Sequence, residues 1–171
     1  MKVSTRLAGN LRAIPTQIAV RYRKGQERKV VTALSVLGTL EHPRPRRTLI
    51  LHRSEHVSQR EVDALLTWLQ ERGAIDFATA MLRDVESGQR QVLTNEIVVR
   101  LKPGAPPRET LATLKAEYGV SVGKPNDYEP TQYIVKVTDP SGTNTLDVAE
   151  SLCRNGQVEF ASPNFLPELE R

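Results

Sequence analysis

Three histidines, His42, His52 and His56, crowd into the stretch Leu40–Val57. Imidazoles that close together hold a divalent metal when further ligands converge on them. His52 and His56 are four residues apart, but the segment around them reads as strand and loop, which does not bring that spacing onto one face. Cys153 is the sole cysteine, so an internal disulfide and a cysteine-rich metal site are both excluded. It falls in an amphipathic stretch, where a small buried or half-buried thiol is expected. The glycines form neither a GxGxxG nor a GxxxxGK[ST] phosphate cradle. "SGTNT" (Ser141–Thr145) has the look of a nucleophile loop. Without histidine and aspartate partners it reads as a turn and helix cap. The sequence therefore predicts no enzyme, no metal and no cofactor.

The elements that would position any site come next. A chain of 171 residues accommodates one domain or two small ones, and 39% hydrophobic content is enough for a core. The formal charge is +4, with its densest basic runs at "RYRKGQERK" (Arg21–Lys29) and "RPRR" (Arg44–Arg47). Elsewhere the cations are interleaved with acids, which describes a solvated face rather than a nucleic-acid surface. No stretch approaches the roughly 18 apolar residues of a membrane span. The opening "MKVSTRLAGNLRAIPTQ" lacks the apolar core of about 7–15 residues that a signal peptide carries. A cytoplasmic location and no membrane partner are expected, with an extracellular one only for a chain trimmed of its leader.

Two blocks recur in the same order. "VRYRKG" (Val20–Gly25) returns as "VRLKPG" (Val99–Gly104), and "LQERGAIDFAT" (Leu69–Thr79) as "LCRNGQVEFAS" (Leu152–Ser162). Matched order and spacing indicate a duplication. In the second copy "NEIVVRLKPG" alternates Ile97, Val99 and Leu101 and stops at Pro103-Gly104, a strand and turn. "PPRETLATLKAEYG" places Leu111, Leu114 and Tyr118 at helical spacing between prolines and Gly119. "VSVGKP" and "QYIVKV" read as strands. "SGTNTLDVAESLCRNG" is a helix with Leu146, Ala149 and Leu152 on one side, ending at Gly156, and "QVEFAS" is the last strand.

The first copy runs in parallel. Its strands are "TQIAVRYRKG", "TLILHR" and "AIDFAT". Its helices are "QERKVVTALSVLG", burying Val30, Leu34 and Leu37, and "SQREVDALLTWLQERG", burying Val62, Leu65, Leu66 and Leu69. The latter opens with Ser58 and Glu61 at capping-box spacing. The predicted fold is α+β: two tandem ferredoxin-like (βαββαβ) sandwiches, antiparallel sheets with helices on one face and the other face free. The predicted divisions are an N-terminal extension at 1–15, a first repeat at 16–83, a linker at 84–95, a second repeat at 96–162 and an extended tail at 163–171. Phe77 and Phe160, at matched positions, are expected in the cores. Arg21 and Arg100 point away from the apolar faces of their strands.

Such units also serve as RNA-binding modules and metallochaperones. The first needs aromatic-rich strands for base stacking, and the second a CxxC. A ligand-sensing tandem remains open.

"TNEIVVRLKPGAPP", "LKAEYGV", "YIVKV" and "DVAESLCRNGQVEFASPNF" together resemble the N-terminal propeptide-like domains of subtilisin-family serine peptidases, most of all the fervidolysin-type prodomains. The resemblance covers about Thr94–Phe165, and the first half looks like a degenerate copy. It implies a non-catalytic partner of a subtilisin-like serine peptidase, fused downstream or separately encoded, that assists its folding and then inhibits it. It further implies that the exposed sheet face packs on two helices of the enzyme, and that the segment after the last strand lies substrate-like in the cleft. The residues so implied are Pro163, Asn164, Phe165, Leu166, Pro167, Glu168, Leu169, Glu170 and Arg171. Prolines 163 and 167 disfavour helix there, and extended peptides bind proteases by strand addition. The rival expectation is a protein–protein interaction module associated with a peptidase without blocking its active site.

Overall fold

The computed structural model describes residues 11–42, 47–138 and 144–166. The described residues form an α+β fold, with antiparallel strands and four helices. It forms two compact units, an N-terminal one of Asn10–Val92 that also takes in Leu166, and a C-terminal one of Leu93–Phe165.

The N-terminal unit is built from β1 (Leu11–Tyr22), α1 (Glu27–Leu34), β2 (Gly38–Glu41), β3 (Thr48–Arg53), α2 (Gln59–Glu71) and β4 (Ile75–Asp84), and β4 turns into the start of β5 (Arg90–Leu101). The strand order is β2-β3-β1-β4, antiparallel throughout. Ile18, Val20, Leu49, Leu51 and Ile75 alternate inward and meet Val30, Leu34, Val62, Leu66 and Leu69 from the two helices. Leu65 is only half-buried. α2 starts as its sequence predicts: the Ser58 hydroxyl caps the Glu61 amide, and the Glu61 carboxylate accepts from the Ser58 amide at 2.8 Å. Ser58→Ala is expected to cost about 1 kcal/mol, the usual loss for an N-cap hydroxyl, read as a fall in the urea midpoint.

Several boundaries differ from the expected ones, each for a local reason. The first helix stops at Leu34 rather than running to Gly38, and Gly38 instead opens an unpredicted strand against β3. A Cβ on Gly38 would lie 2.0 Å from the His52 carbonyl oxygen, so only glycine permits that approach. β1 begins at Leu11, inside the stretch expected to be an extension. Pro15 sits in an irregularity of the ladder between Ile14 and Ile18, where a residue without an amide hydrogen bulges a strand instead of ending it. The expected linker 84–95 shrinks to a tight turn between β4 and β5. The Asp84 carboxylate accepts from the amides of Glu86 and Ser87, at 3.0 and 2.7 Å, and Gly88 takes φ 72°. The Ser87 amide and hydroxyl hold the Asp84 carboxyl below its ordinary range.

The C-terminal unit comprises the rest of β5, α3 (Pro107–Tyr118), β6 (Val120–Pro125), β7 (Gln132–Val137), α4 (Asn144–Cys153) and β8 (Val158–Leu166, whose last residue belongs to the other unit). Its order is β6-β7-β5, with β8 also pairing β5. Pro107 begins α3, and Gly119 ends it at φ 60°, ψ 40°, the left-handed cap that glycine supplies without strain. Ile97, Val99, Leu101, Tyr133, Val135 and Val137 pack against Leu114, Val148, Ala149 and Leu152. Leu146 is buried, and Leu111 and Tyr118 flank the core.

Candidate functional site

Strand alternation decides what the C-terminal unit presents. With Ile97, Val99 and Leu101 turned to the helices, Glu96, Val98 and Arg100 take the other face of β5. The register sets Glu96 opposite Lys136, Val98 opposite Ile134 and Arg100 opposite Gln132. Ile134 is 43% exposed, and Val98 half-buried. The Arg100 guanidinium lies 4.8 Å from the centre of the Phe160 ring and donates to the Gln132 side chain at 3.3 Å. Phe160 is therefore a half-buried residue of this face rather than of the helix-side core. The sequence misplaced it because the strand is irregular here: Val158 and Ala161, three apart, both face the core, so simple alternation fails between them.

In the N-terminal unit the face away from the helices is closed. Ala19, Ile50, Phe77, Met81, Val92 and Leu166 form a second apolar cluster there, with Ile14 against it. Phe77 is a core residue, but of this second cluster. The expectation of a free sheet face fails for this unit. Arg90 helps to seal it: its guanidinium donates to both Glu41 carboxylate oxygens, at 3.3 and 3.2 Å. Glu41 also bonds the His52 Nε2 at 3.0 Å, so His52 is half-buried and paired rather than solvent-facing. Sequence reasoning missed this cluster because β2 was not recognised as a strand.

The hydrogen bonds from Arg90 hold the Glu41 carboxyl below its ordinary value, against the opposing effect of burial. A depressed carboxylate adds stability that is present above the unfolded-state value and is lost as pH falls through the folded-state one. Melting temperature is therefore expected to drop on acidification from pH about 6 to about 3, with a shallower drop in Glu41→Gln. Identical slopes would show that the triad contributes nothing to acid sensitivity.

The other candidates do not assemble. His42 and His56 are exposed, and among the described residues no three potential ligands gather to hold a metal. Cys153 is exposed, its Sγ 3.2 Å from the Ala161 carbonyl. Of "SGTNT", residues 141–143 lie outside the described residues and Thr145 is fully buried. No helix among the described residues is long and apolar enough to cross a membrane.

The expected tail divides in two. Pro163, Asn164, Phe165 and Leu166 are the end of β8, which runs on past the predicted stop at Ser162. Pro163, Asn164 and Phe165 are half-buried and Leu166 is buried. Pro167, Glu168, Leu169, Glu170 and Arg171 lie outside the described residues. The Asn164 carbonyl accepts from the Thr94 hydroxyl at 2.8 Å, and its side-chain amide donates to Glu96 at 3.1 Å. Thr94 and Glu96 were not singled out from sequence, because the strand that carries them was expected to begin only at their edge.

One sheet face of the C-terminal unit is packed on helices, and the other carries Ile134 exposed, with Val98 and Phe160 half-buried. The profile of the fervidolysin N-terminal prodomain matches residues 78–164. This is half of the chain, from within β4 to within β8, and the chain belongs to the fervidolysin N-terminal prodomain-like family. Membership connects it to peptidase-associated, non-catalytic chaperone and inhibitor modules. No curated protein matches the sequence. Among solved structures, the small subunit of acetolactate synthase from Thermotoga maritima is similar at 11% identity, covering 91% of this chain and 96% of that one, with a TM-score of 0.28. That superposition is too loose to bear on function.

Proposed function

We propose that the chain binds a subtilisin-like serine peptidase as a chaperone and inhibitor, docking through the open face of the C-terminal unit. The segment beyond Leu166 then lies substrate-like in the peptidase cleft. The observation that carries this reading is Ile134, 43% exposed opposite the half-buried Val98, on the open sheet face of the unit that the prodomain profile spans. Exposed apolar residues that gather on one face mark a docking site more often than scattered ones do.

We also read the two units as copies of one ferredoxin-like βαββαβ module. Both run strand–helix–strand–strand–helix–strand, and the register aligns them: Ala19 opposite Ile50 in one corresponds to Val98 opposite Ile134 in the other. The matched positions are both buried in the first, whereas in the second Val98 is half-buried and Ile134 exposed, which leaves the second copy better equipped to dock.

The test is inhibition of a subtilisin-like peptidase encoded beside or fused to this chain, by the full chain and by one ending at Leu166. Inhibition that needs the last five residues supports the cleft-binding tail. Binding without inhibition by either form would support the second reading, a peptidase-associated module that leaves the active site open. The burial of Leu166 favours that alternative, since it withdraws one apolar side chain from the cleft.

A further inference from the structure

We propose that the outer ends of β1, β4 and β5 form a hinged flap, fastened by Arg90 to Glu41, that covers the N-terminal unit's equivalent of the docking face. That equivalence rests on the reading of the two units as copies. The flap itself is built from contacts inside Asn10–Val92. Its segments are Leu11–Ile14, Met81–Asp84 and Arg90–Val92, paired with one another in register.

The sheet order requires a bend. Neighbouring strands lie about 4.8 Å apart, so the steps along β2-β3-β1-β4-β5 would put β5 roughly 19 Å from β2 in a flat sheet. The Arg90 guanidinium nevertheless donates to both Glu41 carboxylate oxygens, at 3.3 and 3.2 Å. One side chain does not bridge the flat-sheet distance, so the flap folds back over the sheet. The register sets the row it crosses: Glu41 opposite Ile50, Ile50 opposite Ala19, and Ala19 opposite Thr79. Ile14, Met81 and Val92 on the flap meet Ala19, Ile50 and Phe77 on that face. Arg90 fastens the flap at the far end of the row, where His52 Nε2, 3.0 Å from Glu41 Oε2, holds the carboxylate in place.

The hinge lies in the same register. On β4 the partners of Ile14 and Ile18 are the consecutive residues Met81 and Ala80, which leaves Pro15, Thr16 and Gln17 of β1 unmatched there. An unmatched stretch bends its strand, and Pro15 takes one amide out of the ladder. Gln17 ends that stretch, and its Oε1 is buried without a hydrogen-bond partner. By alternation with Ala19 it lies on the covered face. A buried acceptor left unpaired costs free energy that contact with water returns. Closure is thus stabilised by apolar contact and by the Arg90–Glu41 pair, and opposed by Gln17 at the hinge. Such a balance suits a segment that opens apart from the rest of its unit.

Thiol labelling with a maleimide at fixed pH reads the opening. Every protein carries Cys153→Ser, because Cys153 is exposed. Ala19→Cys places a reporter beneath the flap, at a site 0% exposed. Thr79→Cys, on the same row and 1% exposed, repeats the reading with a different packing change. Ala78→Cys is the control: Ala78 is 2% exposed in the helix-side core, so its labelling reports opening of the whole unit. The reporters at positions 19 and 79 should react faster than the one at 78. Glu41→Gln should raise the first two rates about tenfold further, about 1.4 kcal/mol, and leave the third unchanged.

One common rate for the three reporters would mean that the face opens only when the unit unfolds, which overturns the flap. So do rates at 19 and 79 that Glu41→Gln leaves unmoved, or that rise equally at all three positions. The labelling decides this whether or not the chain inhibits a peptidase, so failure of the proposed function is read separately, from the inhibition assay.

Discussion

Phe77→Ala unfolds the N-terminal unit at low urea, whereas the same change at the matched Phe160 barely moves the transition. Phe77 is 1% exposed and is the largest side chain in a cluster that includes Ala19, Ile50, Met81, Val92 and Leu166. Deleting a buried phenyl ring costs about 3–5 kcal/mol, because the transfer free energy is lost and the cavity closes only in part. Against a typical domain stability of about 5–15 kcal/mol, that is at least about a fifth of the total. Phe160 is half-buried beneath the Arg100 guanidinium. Its removal forfeits a cation–π contact of about 0.5–1 kcal/mol and part of an apolar area that was never fully withdrawn from water. Trp68 is the chain's single tryptophan and sits on α2, so its emission reports the N-terminal unit specifically. The arrangement of Arg72 at 4.3 Å and Lys29 at 5.6 Å from its ring should make that emission sensitive to loss of the α1–α2 contact. Equal shifts for the two variants would remove the distinction between a sealed and an open face.

That distinction also shows what the sequence could and could not reveal. Elements whose signals are local were legible. Ser58 and Glu61 announce the start of α2, Pro107 and Gly119 bracket α3, and the alternation of Ile97, Val99 and Leu101 marks the inner face of β5. What escaped depends on contacts distant in sequence. Gly38 looks like the stop of a helix until the His52 carbonyl is placed against it. Pro15 looks like the limit of a strand until β4 shows that the ladder resumes beyond it. The closed face needed Met81, Val92 and Leu166 brought together from three separate strands, and no period within any one of them encodes that meeting. The same holds for Glu41 and Arg90, which are paired although 49 residues apart. The ending "VEFASPNF" was legible as a motif, but the use of its asparagine was not: that requires knowing that Thr94 and Glu96 lie beside it.

Ile134→Asp is the substitution with the largest expected effect on binding. Ile134 is 43% exposed and faces Val98 across the β5–β7 ladder. A carboxylate there stays hydrated in the free protein, so the melting temperature should change little. In a complex that buries this face, the same carboxylate is stripped of water at the centre of an apolar patch with no partner built for it. Central interface residues of this kind cost at least about 2 kcal/mol when disrupted, roughly a thirtyfold weaker inhibition constant. The matched substitution Ile50→Asp supplies the contrast. Ile50 is 1% exposed, so a charge there enters a sealed core and the unit should not fold. A folded Ile134→Asp protein that inhibits as well as the unaltered chain would move docking off this face altogether. A folded protein that has lost inhibition, beside an Ile50→Asp protein that does not fold, would mean that the duplication produced two copies with different work. In that outcome the first copy would close its sheet with its own side chains, and the second would leave the equivalent surface for a partner.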